Sequence, residues 1–147
     1  MFEAVCNLPR PLILYATKVK EVEEWGAQLR GLGFRRLAVV TGASSADHRG
    51  RVIEQWRDGH LDIVVATSAF GLGVDQSDVR AVVHACIPET IDRFYQEVGR
   101  GGRDGKASVS LMLYTKADYA TADGLNRKVT ISTDRGLQRW RRMFGTK

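Results

Sequence analysis

Four short stretches of this 147-residue chain are almost unbroken runs of apolar residues: LILYA (12–16), LAVVTG (37–42), DIVVAT (62–67) and RAVVHAC (80–86). A strand with one face in water alternates polar and apolar residues, so unbroken runs imply a sheet covered on both sides. Helical patterns lie between them. Val22, Trp25, Leu29 and Leu32 share one face of a helix that stops near Gly31 and Gly33. In SSADHRGRVIEQWRDG, Val52, Ile53 and Trp56 face inward and Gly59 ends the run. Strands alternating with helices predict an α/β domain with a parallel sheet and right-handed crossovers. SVSLMLYT (108–115) supplies a fifth strand, and a polar helix follows near 116–127. Ligands of such sheets gather beyond the carboxyl ends of the strands. That singles out two loops, TGASS after the second strand and TSAFGLGVDQ after the third.

Residues 95–105, YQEVGRGGRDG, pack four glycines and two arginines into one segment. Upstream, Ile91, Phe94, Tyr95 and Val98 have the spacing of one buried helix face. The glycines therefore follow a helix, whereas a dinucleotide loop needs glycines that open one and leave its N–H groups to the pyrophosphate. The glycine pattern also misses, because Asp104 stands where a third glycine belongs. What remains is Arg100 and Arg103, three residues apart with little bulk around them, read here as arginines that face a phosphate.

Bulk properties are permissive. The chain is long enough for one domain with a sizeable core, and 44% hydrophobic with 27% charged residues is ordinary for a soluble protein. A net charge of +5 suits a polyanionic partner. The opening MFEAVCNLPRP carries Glu3 and no long apolar stretch, so it is no secretory signal, and the expected location is the cytoplasm, at the nucleoid, or the nucleus if the chain is eukaryotic. Cys6 and Cys86 lie far apart and are expected to be reduced. No cysteine or histidine has metal-ligand spacing, so no metal site is expected in this chain, and His48, His60 and His84 are read as structural.

TSAFGLGVD and, roughly twenty residues on, YQEVGRGGRDG resemble motifs V and VI of superfamily 2 helicases. ILYATKVKEVEEW is similar to their motif IV region, and the form QE-x-GR-x-GRDG is that of the RecQ-like DNA helicases. The resemblance spans residues 10 to 120. It implies the second of two RecA-like lobes, a three-layer fold of the P-loop NTPase type with a mostly parallel central sheet flanked by helices. Residues 1–10 would then be a connector from a first lobe, 11–127 the lobe itself, and 128–147 a basic amphipathic tail. No G-x-x-x-x-G-K-[ST] loop and no Asp-Glu pair after a strand occur here. ATP and magnesium would accordingly be held mainly by the absent first lobe, and the chain alone would be inactive.

The resemblance also implies roles. Arg103 would be the arginine finger on the γ-phosphoryl group, with Arg100 and Gln96 as its companions. Gly71, Gly73 and Asp75 would approach the nucleotide, Asp75 through the ribose. Thr67 would hydrogen-bond a DNA phosphate, a contact that positions the strand without reading sequence. Thr41 and Gly42, on the same sheet edge, would add a backbone contact, although helix capping explains the neighbouring Ser44 and Ser45 equally well. The partner so implied is DNA, a single strand tracked by its phosphates. The rival readings are a binding module that keeps the fold without the motor, and an RNA-directed remodeller. Three features depart from the RecQ pattern: Gly101 stands where alanine is usual, Thr41 where histidine is common, and the tail is unlike the usual continuation. In that tail, Leu137, Trp140 and Phe144 have helical spacing among four arginines, and their apolar edge is expected to dock on this domain or on a neighbour.

Overall fold

The computed structural model describes residues 2–68, 70, 76–126 and 133–144. Their elements run in the order α1 (Phe2–Asn7), β1 (Leu12–Tyr15), α2 (Val19–Gly31), β2 (Leu37–Val40), α3 (Ala46–Arg57), β3 (Ile63–Ala66), β4 (Ala81–His84), α4 (Ile91–Val98), β5 (Val109–Met112), α5 (Lys116–Asn126) and α6 (Thr133–Phe144). All five strands are parallel, in the order β2-β3-β1-β4-β5. Each predicted apolar run became a strand, and the sheet is parallel as its composition implied. Every residue of β1, β3 and β4 is buried.

Because successive side chains leave a strand on opposite sides, the core splits into two layers. Ile13, Tyr15, Val40, Val64, Ala66 and Val82 share one with Val52 and Trp56 of α3 and with Phe70 and Val79. Leu12, Leu14, Leu37, Ile63, Val65 and Val83 share the other with Val5 of α1 and Val22, Trp25 and Leu29 of α2. The stretch read as a connector is thus helical, and its Phe2 ring sits 4.1 Å from that of Trp25. Leu32, expected on the buried face of α2, is 59% exposed, because it is the C-cap residue and lies beyond the last turn. The edge strand β5 is only half covered. On α6, Leu137 and Trp140, expected on a docking edge, are 48% and 60% exposed. Cys6 and Cys86 are free thiols. Among the described residues no helix is long and apolar enough to cross a membrane.

Candidate functional site

At the carboxyl ends of β2 and β3 the structure brings two of the expected phosphate-contact residues together. The Thr67 N–H donates to the Val40 carbonyl at 3.1 Å, which sets Thr67 beside Thr41. Both threonines are buried, and Gly42 follows directly with open space on its Cβ side. The Thr41 turn is closed locally. Its N–H donates to Ser44 Oγ at 3.0 Å, and its own Oγ1 accepts from the Ala43 N–H at 3.3 Å. Ser45 caps α3 by accepting the His48 N–H. Gly71, Gly73 and Asp75 lie outside the described residues.

Helix α4 starts with Thr90, whose hydroxyl accepts the Arg93 N–H. Its inward face is mixed: of the expected apolar residues, Phe94 and Val98 are half-buried. Ile91 and Tyr95 are 65% and 70% exposed, whereas Glu97 is only 7% exposed. The reason stands on β4. His84 is fully buried and its Nε2 lies 3.0 Å from Glu97 Oε2. An isolated buried carboxylate or imidazole loses its hydration without return, so α4 turns Glu97 inward, and two hydrophobic residues go outward. Phe94 flanks the imidazole at 5.3 Å and Tyr15 stacks on it at 5.5 Å with 25° between the planes.

Beyond the helix, Arg100 and Gly101 donate backbone N–H bonds to Glu97 and Val98, closing a final tight turn. The segment then crosses to the amino end of β4. Gly102 N–H donates to Val79 O and Asp104 N–H to Ser77 O, each at 3.0 Å, and Arg80 pairs with Asp104. Partial burial raises the Asp104 carboxyl, but the hydrogen bonds from Arg80 and the Lys106 N–H, with both cationic charges, outweigh it and hold it below the usual carboxylate range. The glycines serve this packing. A Cβ on Gly102, whose φ is +65°, would meet the Lys106 carbonyl at 2.6 Å, and one on Gly101 would meet Ser108 Oγ at 2.7 Å. Ser108 therefore fills the space that an alanine methyl at 101 would need.

Gln96 and Arg103 are exposed, and Arg103 Nε donates to Gly99 O at 3.0 Å. Arg100 is half-buried beside Tyr15. Burial drives the Tyr15 phenol upward in pKa; the charge of Arg100 and its hydrogen bond, with a further contribution from Arg103, pull it back. The Tyr15 hydroxyl itself donates to Phe70 O at 3.2 Å. So Tyr15 joins the loop after β3 to the arginine segment. Sequence reasoning missed Tyr15 and Glu97 and read His84 as merely structural. The only available signal was a polar residue in each of two otherwise buried patterns. Beside this group opens a small cleft lined by Tyr15, Thr17, Ser68, Cys86, Arg93 and Glu97 among others. Burial pushes the Cys86 thiol up to about 11, so it stays protonated at neutral pH. Among the described residues no group of three His, Cys, Asp or Glu side chains could hold a metal ion.

Residues 2–105 match the family described as "Helicase conserved C-terminal domain". The probable ATP-dependent DNA helicase RecS of Bacillus subtilis is 31% identical over 91% of this chain and 27% of its own length. The ATP-dependent DNA helicase RecQ of Haemophilus influenzae is 38% identical over 74% of this chain and 17% of its own. The chain thus spans about a quarter or less of these relatives. In solved structures, a DEAD box protein from Methanococcus jannaschii superposes with a TM-score of 0.69 at 22% identity, over 89% of this chain and 37% of that one. The helicase MrfA bound to DNA and AMPPNP superposes at 0.68 and 23% identity, over 78% and 17%. These two likenesses speak for the fold, a RecA-like helicase lobe. With the family match covering most of its length, the chain belongs to the helicase conserved C-terminal domains, and its relatives are RecQ-type DNA helicases.

Proposed function

We propose that this domain is the second motor lobe of an ATP-dependent DNA helicase, supplying arginines to a triphosphate held by a first lobe. The observation that carries the reading is the build of residues 99–105. Two backbone bonds and the Arg80–Asp104 pair tie this segment to the edge of β4, while the Arg103 side chain is left on the surface. In ATP hydrolysis negative charge spreads over the γ-phosphoryl oxygens. A guanidinium is planar, permanently charged and weakly hydrated, so it can enter a closing cleft and pair there. Arg103 takes the finger role, Arg100 stands behind it, and Gln96 on the outer face of α4 orients the phosphate or its water. Asp75, Gly71 and Gly73 approach the nucleotide. Magnesium belongs with the first lobe.

DNA belongs at the carboxyl ends of β2 and β3. Thr67, with Thr41 and Gly42 beside it, touches a single strand through its phosphates, and the net charge of +5 favours that partner. Closure of the lobes on ATP then moves this contact relative to those of the first lobe, and each cycle shifts the strand. The test is a two-lobed protein in which this chain follows the nucleotide-binding lobe of a RecQ-type relative. Arg103→Ala should lower DNA-stimulated kcat by ~10³–10⁵ with a small change in KM. Turnover within a few-fold of wild type would sink the reading.

A further inference from the structure

Tyr15, His84 and Glu97 come from three elements and meet in one buried group. The contacts close a ring. The Tyr15 ring stacks on His84, His84 bonds to Glu97, the Glu97 carbonyl accepts the Arg100 N–H, and the Arg100 guanidinium lies at the Tyr15 hydroxyl. That hydroxyl also donates to Phe70 O in the loop after β3. Arg100 Nε is shielded from solvent within the ring. A long cationic side chain on a glycine-rich turn would otherwise sample many rotamers, and ordering it costs entropy that fixed neighbours can supply in advance.

We infer that Tyr15, His84 and Glu97 form a positioning unit that sets the direction of the Arg100 side chain relative to the loop after β3. In this reading the three act through Arg100 and not on nucleotide or DNA themselves. The inference deepens the proposed function and rests on it for the catalytic consequence, while the positioning itself can be read without catalysis. Tyr15 supplies an oxygen of fixed place, accepting from Arg100 while donating to Phe70. Glu97 carries the turn that bears Arg100, and His84 holds Glu97 against the sheet. The bond, rather than the charge of Glu97, is what matters, because a neutral amide at 97 can still pair with the imidazole in either tautomer.

The variants are Tyr15→Phe, which keeps the stacked ring and removes the oxygen, Glu97→Gln, which keeps a partner for His84, and Glu97→Leu, which does not. In the two-lobed protein, Tyr15→Phe and Glu97→Leu should lower kcat for ATP on the order of tenfold to a hundredfold. KM and DNA affinity should stay within about twofold, and Glu97→Gln should retain most of kcat. The 147-residue chain, labelled with ¹⁵N-arginine, gives the direct readout. Arg100, assigned through Arg100→Lys, should show a slowly exchanging Nε–H signal in wild type and Glu97→Gln. In Tyr15→Phe, and in Glu97→Leu if it folds, the signal should exchange as fast as that of a solvated arginine. A slow signal and full kcat in Tyr15→Phe would overturn the proposal, as would a parallel rise in KM and loss of melting temperature, which mark a purely structural role. If Arg100→Ala keeps full kcat while Tyr15→Phe still loses the slow signal, the positioning stands and the catalytic part assigned to Arg100 falls.

Discussion

Every residue of β1 and β3 is buried, and these strands are joined by a continuous parallel register from Leu12↔Ile63 to Tyr15↔Ala66. In segment 99–105 no residue is buried, and the links to β4 and its approach are two backbone bonds and one ion pair. The first region carries stability and presents few polar side chains; the second holds the arginines proposed to face the triphosphate and carries little stability. The two should therefore respond oppositely to substitution, and the contrast can be broken from either side.

The largest stability effect is expected in the strands. Leu14→Ala removes a side chain with no exposed surface from the middle of the sheet and should cost about 3–5 kcal/mol in urea unfolding. Gly102→Ala comes next, at about 1–3 kcal/mol, since it combines a left-handed φ of +65° with a backbone oxygen 2.6 Å from the new methyl. Asp104→Asn should show itself through pH. The folded Asp104 carboxyl is held low, so its contribution is fully present above the unfolded value of ~3.9 and is lost as pH falls through the lower folded value. Unfolding curves should accordingly show the variant less stable than wild type at neutral pH, with a shallower acid limb and convergence of the two below the folded value. Smallest of all is Arg103→Ala, expected within about 0.5 kcal/mol of wild type because the side chain is exposed. A cost as large as that of Leu14→Ala would erase the division between the two regions.

The same contrast explains what could be read in advance. Strands β1 to β4 were legible because burial on both faces leaves an unbroken apolar run, a local property of five or six residues. The segment's glycines were legible as no phosphate cradle, because a helix precedes them. The face of α4 was not legible. Apolar periodicity nominated Ile91, Phe94, Tyr95 and Val98, and only Phe94 and Val98 are half-buried, because a fully buried His84 on a neighbouring strand took Glu97 as its partner and left Ile91 and Tyr95 outward. Nothing local to residues 91–98 records that imidazole. Likewise, no pattern connects Tyr15 to Arg100 across eighty-five positions; only the stacking of β1 beside β4 brings them together. The roles assigned to Gly71, Gly73 and Asp75 rest on the motif alone.

The claim beneath all of this is that the chain lends a cation to a nucleotide bound elsewhere. The direct measurement is ATP turnover by the 147-residue chain alone, by the same chain joined to a nucleotide-binding first lobe, and by that joined protein carrying Arg103→Ala, each with and without DNA. The account predicts no turnover alone, DNA-stimulated turnover when joined, and its loss by ~10³ or more in the variant. Hydrolysis by the lone chain at the rate of the joined protein, or a joined protein indifferent to Arg103, would contradict it.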